Sequence, residues 1–328
     1  MNKPQTPTQQ TKATARVRQY HAPSGRWRLG FLLALTTAVM WGLLPIALKG
    51  VLTALDATTI TWYRFLVSAV VVGGVYCVRG GFQGRLLLKP RLAILMIGAI
   101  LGLLSNYWLY LVGLDLSTAE ASQMMIQLAP VLLLVLSLWV HKEPFSRWQL
   151  LGIATLLTGM ALFFNLRWGQ FAEEIGSGGG RYTLGLAYII LAAILWAFYG
   201  LAQKELLKNF GSQEVLVIIY VAGSIVFLPW SAPSDVFQMN TSQWFYLIFA
   251  CINTVIAYGA FAFALEHWEA SRVSATVTIV PILTLCFVSL FSWLVPGSIT
   301  PEPMNGLGWF GAMLVVAGAM TTALVRSK

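Results

Sequence analysis

Runs of apolar residues, each long enough to cross a bilayer, occupy most of this chain. A bilayer core needs about 20 residues of α-helix. Hydrophobic residues make up 58% of the chain and charged residues 10%, against about 45–50% and about 25% in soluble domains. The runs are too continuous for the alternating strands of a membrane barrel. The sequence therefore predicts an all-α polytopic membrane protein with ten transmembrane helices, near 29–52, 57–78, 92–114, 119–140, 148–166, 184–206, 214–231, 243–266, 271–295 and 306–325.

Positive charge is distributed unevenly between the two sides that these helices define. With the N-terminus inside, all Lys and Arg residues lie on cytoplasmic segments or helix ends except Lys49, Arg64, Arg167 and Arg181. Cytoplasmic loops of membrane proteins carry such an excess. Topology therefore explains the net charge of +9, and nucleic-acid binding is not predicted. We expect a cell inner (plasma) membrane protein with both termini in the cytoplasm.

The second half of the chain repeats the first. The matched pairs are Trp41 with Trp196, Lys49 with Lys204, Tyr107 with Tyr258, Pro130 with Pro281, Glu143-Pro144 with Glu302-Pro303, Gly152 with Gly311, and Gly159 with Gly318. Ordered matches of this kind indicate a duplication. Each half holds five predicted spans, so the two halves must cross the membrane in opposite senses. This is the inverted-repeat architecture of many alternating-access transporters.

The repeat divides the chain into four segments. Residues 1–28 are basic and rich in Thr and Gln, which predicts a disordered cytoplasmic tail. Residues 29–166 form the first five-helix repeat and residues 184–325 the second. Residues 167–183 between them include a Gly/Ser run, which is typical of a flexible linker, here on the outer side.

Polar and aromatic residues within the apolar runs are the candidates for a substrate cavity. Gln123 and Gln127 are four residues apart and share one helix face. Their counterparts in the repeat, Ser274 and Thr278, are also polar. Helix–helix hydrogen bonding is the alternative role for these polar side chains, and packing or an interfacial belt is the alternative for the tryptophans. The complete set of cavity candidates is Trp41, Arg64, Asn106, Tyr107, Gln123, Gln127, Trp196, Tyr199, Tyr258, Ser274 and Thr278.

Two charged residues at or within the spans have alternative interpretations. Arg64 lies about two turns inside the second span, where facing lipid would cost about 3 kcal/mol on insertion scales. It would contact an anion or carboxylate, or else have a structural role with helix carbonyls or Asp56, or reach the outer surface. Glu120, at the start of the fourth span, would carry a proton or else favour the helix start through the dipole.

Motifs of other protein classes are missing from the sequence. There is no Walker-type phosphate loop and no Gly-x-Ser-x-Gly motif. The three histidines are scattered, and Cys77, Cys251 and Cys286 lie in separate spans. We therefore predict no catalytic residues, no metal site and no cofactor. The expected partners are a small-molecule substrate, the lipid bilayer and a coupled proton or ion, and nothing in the sequence specifies an oligomeric state.

Short motifs in a fixed order carry a family resemblance. They are Trp41-Gly42, Lys49, Arg64-Phe65, Gly113-Leu114, Ala119, Ala129-Pro130, Glu143, Leu151-Gly152 and Gly159, together with the repeat of this block. Over about residues 30–325 the chain resembles the EamA-type transporters of the drug/metabolite transporter superfamily. The resemblance implies ten helices around a central cavity, and substrates such as amino acids, other metabolites or amphiphilic drugs, usually exported. It places Trp41, Tyr107, Gln123, Trp196 and Tyr258 near that cavity.

One segment departs from the family pattern. Pro296-Gly297 and an extended connector precede Glu302, where the first half has Lys142-Glu143 directly. The last outer loop is therefore atypical. The predicted function is a secondary active transporter that exports small organic metabolites, either amino acids or related compounds or amphiphilic drugs, by alternating access. The alternative from another class is a membrane-embedded enzyme or a non-transporting sensor or partner subunit.

Overall fold

The protein is seen here in a computed structural model that describes residues 24–79, 88–141, 146–297 and 299–324. Within these ranges the secondary structure is helical and contains no strand. Residues 1–23 of the expected tail and the Glu143-Pro144 motif lie outside the described residues. The α-helices are α1 (Trp27–Leu52), α2 (Ala57–Arg79), α3 (Pro90–Leu116), α4 (Ala119–Met125), α5 (Leu128–His141), α6 (Arg147–Phe163), α7 (Trp168–Gly176), α8 (Arg181–Leu206), α9 (Ser212–Phe227), α10 (Thr241–His267), α11 (Ala270–Val277), α12 (Val280–Leu294) and α13 (Gly306–Leu324).

These helices make a membrane-spanning bundle. Among the described residues, nine spans are long and apolar enough to cross a bilayer, with α4–α5 and α11–α12 each forming one span. The bent pair of α6 and α7, at 81°, brings the number to ten if it is a single span. Large apolar side chains such as Val70 and Ile94 are exposed on the outside of the bundle, as lipid contact requires. The predicted all-α membrane fold is confirmed.

The close packing of α6 on α13 reveals the relation between the repeats. A Cβ atom added at Gly159 would lie 2.6 Å from the carbonyl oxygen of Gly311, and one added at Gly152 would lie 2.9 Å from that of Gly318. The later residue of one helix thus faces the earlier residue of the other, so the two helices run antiparallel. Because α6 and α13 are equivalent helices of the two repeats, the repeats are inverted.

The remaining helix pairs follow the same symmetry. Helix α3 packs along α8, and its counterpart α10 packs along α1. Asn106 in α3 donates a hydrogen bond to the carbonyl of Ala192 in α8 at 2.9 Å. At the corresponding place, Thr37 in α1 donates to the carbonyl of Ala257 in α10 at 3.3 Å. The two crossings are therefore equivalent, but the donor is on α3 in the first and on α1, the counterpart of α8, in the second.

Two spans that the sequence predicts as continuous are broken at equivalent places. Helix α4 ends at Met125 before α5 begins, and α11 ends at Val277 before α12 begins. Each break precedes a proline, Pro130 or Pro281, by a few residues. A proline lacks the backbone donor and clashes with the carbonyl four residues earlier, which ends the preceding helix. In the sequence, the match of Pro130 with Pro281 indicated a duplication but did not predict that the two spans break.

The segment predicted as a flexible linker over 167–183 contains helix α7, and this part of the prediction is wrong. Trp168, Phe171 and Ile175 recur at helical spacing and give one apolar side. Phe171 packs on Phe164 at 5.8 Å and on Tyr182 at 6.1 Å between ring centroids. The Gly/Ser composition that suggested a linker is confined to the last residues before α8. Aromatic packing against neighbouring helices therefore overrides the local Gly content.

Candidate substrate site

Asp56, the acid closest to Arg64 in the sequence, is bound at the first turn of α2. The carboxylate of Asp56 accepts hydrogen bonds from the backbone N–H groups of Thr58 at 2.7 Å and Thr59 at 3.0 Å. Such a side chain satisfies donors that a helix start leaves free. It also accepts a hydrogen bond from the Thr59 hydroxyl at 2.6 Å. Asp56 is therefore the cap of α2 and does not pair with Arg64.

Arg64 is buried, with 3% of its surface exposed. Its Nε donates to the hydroxyl of Thr254 in α10 at 3.1 Å. Its guanidinium carbon lies 4.6 Å from the centroid of the Tyr107 ring, which is a cation–π distance. In the described part of the chain no acid forms an ion pair with it. Burial excludes the interpretation in which Arg64 reaches the outer surface.

Tyrosines from both repeats surround this arginine. Tyr107 and Tyr258, which are equivalent residues of the repeat, pack in one apolar cluster. Tyr199 of α8 and Tyr220 of α9 are buried in the same apolar cluster as Tyr107. We refer to Arg64, Tyr107, Tyr199, Tyr220 and Tyr258 as the Arg64–tyrosine cluster. It joins α2 and α3 of the first repeat to α8, α9 and α10 of the second.

The two predicted tryptophans contact this cluster from different helices. The Trp41 ring of α1 packs on Tyr258 with 5.5 Å between centroids. Trp196 of α8 packs on Tyr199 with 6.5 Å between centroids. Gln123 of α4 donates to the backbone carbonyl of Trp41 at 2.9 Å, so its amide holds α4 against α1. The structure thus brings together the aromatic candidates and Arg64.

Four other candidates lie apart from the cluster. Asn106 is buried and bonds α3 to α8 through the Ala192 carbonyl, which is a helix–helix contact. Gln127 and Thr278 lie at the two helix breaks and are partly exposed. Thr278 donates to the carbonyl of Ala275 at 2.7 Å. Ser274, also partly exposed, lies one turn before it.

Two members of the site were missed in the sequence. Thr254 precedes Tyr258 by four residues and so shares its helix face, a signal that could have found it. Tyr220 stands in an apolar span near its middle, and nothing in the sequence singles it out as a member of the site. Tertiary packing alone places it beside Tyr107.

A second buried polar group lies at the end of the bundle that carries α7, which we call the α7 end. The carboxylate of Glu302 accepts hydrogen bonds from Arg167 at 2.7 Å, Thr118 at 2.6 Å and Tyr182 at 2.9 Å. Partial burial lowers the pKa of Arg167, but the hydrogen bond and charge of Glu302 outweigh it and raise that pKa. The backbone N–H of Glu302 donates to Glu120 at 3.0 Å. We call these five residues the Glu302 network.

The network ties the repeats together at this end. Thr118 caps the start of α4 and Arg167 lies between α6 and α7. Tyr182 lies in the first turn of α8, and Glu302 lies in the connector before α13. The atypical connector before Glu302 thus delivers a carboxylate into the bundle. Glu120, Arg167 and Glu302 are each noted in the sequence analysis, but Thr118 and Tyr182 are not, and the meeting of all five depends on the inverted packing.

The opposite end, where the described chain begins at Ser24 and ends at Leu324, is more open, and we call it the termini end. A pocket of about 380 Å³ is lined there by Gly25, Trp27, His267, Trp268, Glu269 and Arg272. A second pocket of about 340 Å³ shares Trp268 and Arg272 and reaches Ile279 at the α11–α12 break. None of the predicted cavity residues lines either pocket. The described structure is therefore closed by a polar network at the α7 end and indented at the termini end.

Known proteins resemble this chain along nearly its whole length. The sequence profile of the EamA-like transporter family matches residues 28–165 and 183–324. The uncharacterized inner membrane transporter YhbE of Escherichia coli (strain K12) is 38% identical over 297 residues, covering 90% of this chain and 91% of that protein. An uncharacterized transporter of Haemophilus influenzae is 35% identical over 296 residues, covering 90% and 95%.

More distant proteins are also similar. A probable terminal-alkyne amino-acid exporter of Streptantibioticus cattleyicolor is 25% identical over 210 residues, covering 62% of this chain and 63% of that protein. One solved crystal structure has a TM-score of 0.58 at 18% identity, covering 89% of this chain and 96% of that chain. This likeness concerns the fold alone.

An all-helical bundle of two inverted repeats, with its polar residues turned inward, is the architecture of a multi-pass membrane transporter. The profile match over both halves and two relatives above 30% identity agree with that class. The chain belongs to the EamA-like transporter family, which is a family of transporters and not of enzymes.

Proposed function

We propose that this protein exports small carboxylate-bearing metabolites, amino acids or related compounds, across the inner membrane by alternating access. The observation that carries the proposal is Arg64, a buried cation without an acid partner among the described residues, at the junction of the two repeats. A buried charge is costly unless it is paired. A substrate carboxylate would supply the missing partner.

The cluster around Arg64 suits an amphipathic substrate. Its Nε is used by Thr254, which leaves the terminal N–H groups of the guanidinium for the planar, two-point contact that arginine makes with carboxylates. Tyrosine rings offer flat apolar surface next to hydroxyl groups. The probable amino-acid exporter of Streptantibioticus cattleyicolor supports this substrate class, whereas amphiphilic drugs that are cations would meet a positive charge.

Alternating access is supported by the inverted repeats and the two broken spans. Broken helices are common in alternating-access transporters, and here two spans break at equivalent places, beside Gln127 and Thr278. The excess of Lys and Arg at the termini end favours a cytoplasmic location for that end. The described arrangement is then closed to the outside by the Glu302 network.

Transport by purified protein in liposomes tests this proposal. Leucine and phenylalanine, each paired with its amide, and a cationic dye would be presented in counterflow without ATP. We expect exchange of an amino acid and at least about tenfold less of its amide, since a hydrogen bond to a charged group contributes about 1.5–3 kcal/mol. If the protein moves only the dye, it is still a transporter, but the proposal that it carries carboxylates is refuted. Folded protein that moves and binds none of these compounds would refute export of this class.

A further inference from the structure

Glu120 is a buried acid that the substrate site does not use. It lies in the first turn of α4 and is 2% exposed. One carboxyl oxygen, Oε1, accepts the backbone N–H of Glu302 at 3.0 Å. The other, Oε2, is buried and has no hydrogen-bond partner. An ionised carboxylate in this place would keep one oxygen without any donor.

Nearby cations do not supply that donor. Helix α4 packs against α1, α3, α8 and α12. From α1, Lys49 acts on Glu120 through its charge, but its Nζ donates to the carbonyl of Asp115 in α3 at 3.1 Å. From α8, Arg181 pairs instead with the Asp115 carboxylate at 3.6 Å. Helix α12 carries no charged side chain.

A second carboxyl group lies against Glu120 and differs from it in its partners. Glu302 has donors on both oxygens, from Arg167, Thr118 and Tyr182. Two neighbouring carboxylates disfavour each other's ionised form, and the one without a cation takes the proton. Arg167 forms its ion pair with Glu302. The arrangement therefore stabilises the charge on Glu302 and leaves Glu120 to become neutral.

We propose that Glu120 is the protonation site of a gate at the α7 end. A proton from the solvent at this end binds Oε2 when the Glu302 network closes, and it returns to that solvent when the network opens. This inference rests on the proposed function only in assigning the gate to a transport cycle. The protonation of Glu120 does not depend on it. Closure binds a proton, so the closed form is favoured at low pH and is lost as pH rises.

Reaction with dicyclohexylcarbodiimide tests the protonation state without a substrate. The reagent takes the proton of a buried carboxylic acid and adds to its oxygen, and rearrangement leaves a stable acylurea that mass spectrometry locates. At about pH 6, well above the value of about 4.3 for a free glutamate, we expect Glu120 of the full chain to be labelled. Labelling should decline toward about pH 9. Glu302, which forms an ion pair with Arg167, is the internal control and should remain unlabelled.

A cysteine substitution reports on the gate. Ser122 is fully buried beside Ser117 at this end. In a background with Cys77, Cys251 and Cys286 replaced by serine, maleimide alkylation of Ser122→Cys is compared at each pH with that of the exposed Ser177→Cys, because thiolate formation alone speeds alkylation as pH rises. The ratio of the two rates should be about tenfold higher at about pH 9 than at about pH 6. Adding Glu120→Gln should keep this ratio low at both pH values. Glu266→Gln, a change at an exposed acid, is the matched control and should retain the pH dependence.

The outcomes separate clearly. Labelled Glu120 with a pH-dependent gate that Glu120→Gln abolishes supports the proposal. Label on Glu302 in place of Glu120, or no label on either, overturns it, and this measurement needs no variant to fold. A rate ratio of Ser122→Cys to Ser177→Cys that is the same at both pH values also overturns it. Neither experiment involves transport. The gate proposal can therefore be supported when the export proposal fails, and it can fail when the export proposal is supported.

Discussion

Arg64 shows how a single residue depends on its neighbours in three dimensions. Its place two turns into a span was enough to predict that it faces the protein interior. Its partner was not predictable, because Asp56 is close in sequence but is used as the cap of α2. Thr254 and Tyr107, which do contact it, come from α10 and α3. Asp56 was the acid closest in sequence, but its carboxylate is bound by the backbone N–H groups at the start of α2.

Replacing Arg64 should separate function from folding. We expect Arg64→Lys to keep the buried charge but lose the two-point carboxylate contact, and to lower counterflow of a carried amino acid about tenfold or more. The unfolding temperature should change little. Val70→Ala, at an exposed position of the same helix, is the control. Normal transport by Arg64→Lys, or an equal loss of transport and of folded protein, would make Arg64 a structural residue.

At the scale of the helix, glycines that look alike in sequence have different consequences. Gly98 and Gly102 of α3 are four residues apart, a spacing of small residues that favours close helix contact. A Cβ atom at Gly102 would meet the carbonyl of Leu195 at 3.0 Å, but one at Gly98 would meet nothing within 4 Å. The repeat of Gly152 and Gly159 in α13 was a better guide, because both repeats keep these positions for one antiparallel crossing.

The α6–α13 crossing should therefore be sensitive to a methyl group. Gly159→Ala places a Cβ 2.6 Å from a backbone carbonyl, and overpacking of this kind costs about 1–3 kcal/mol. We expect a clear drop in the thermal unfolding midpoint in detergent. Gly98→Ala adds the same atom into open space and should be neutral or slightly stabilising, by up to about 1 kcal/mol of helix propensity. Equal effects of the two changes would contradict the close crossing.

For the whole molecule, the charge distribution makes a prediction about sidedness. Ser177, after α7, and Asn209, after α8, are both exposed and lie at opposite ends of the bundle. In a cysteine-free background, a membrane-impermeant maleimide added to intact cells should label Ser177→Cys and spare Asn209→Cys until the cells are opened. The reverse pattern would place the termini outside and invert the direction assigned to the Glu302 network.

Much of the architecture follows from the sequence alone, because its signals are local or periodic. Apolar runs of bilayer length determine the spans, and an odd number of spans in a duplicated half requires inversion. The repeat also pairs Tyr107 with Tyr258, which the structure places in one apolar cluster. Only the tertiary structure decided which polar groups meet. The Glu302 network gathers residues from four distant segments, and a hydrogen bond between such segments leaves no periodic trace in the chain.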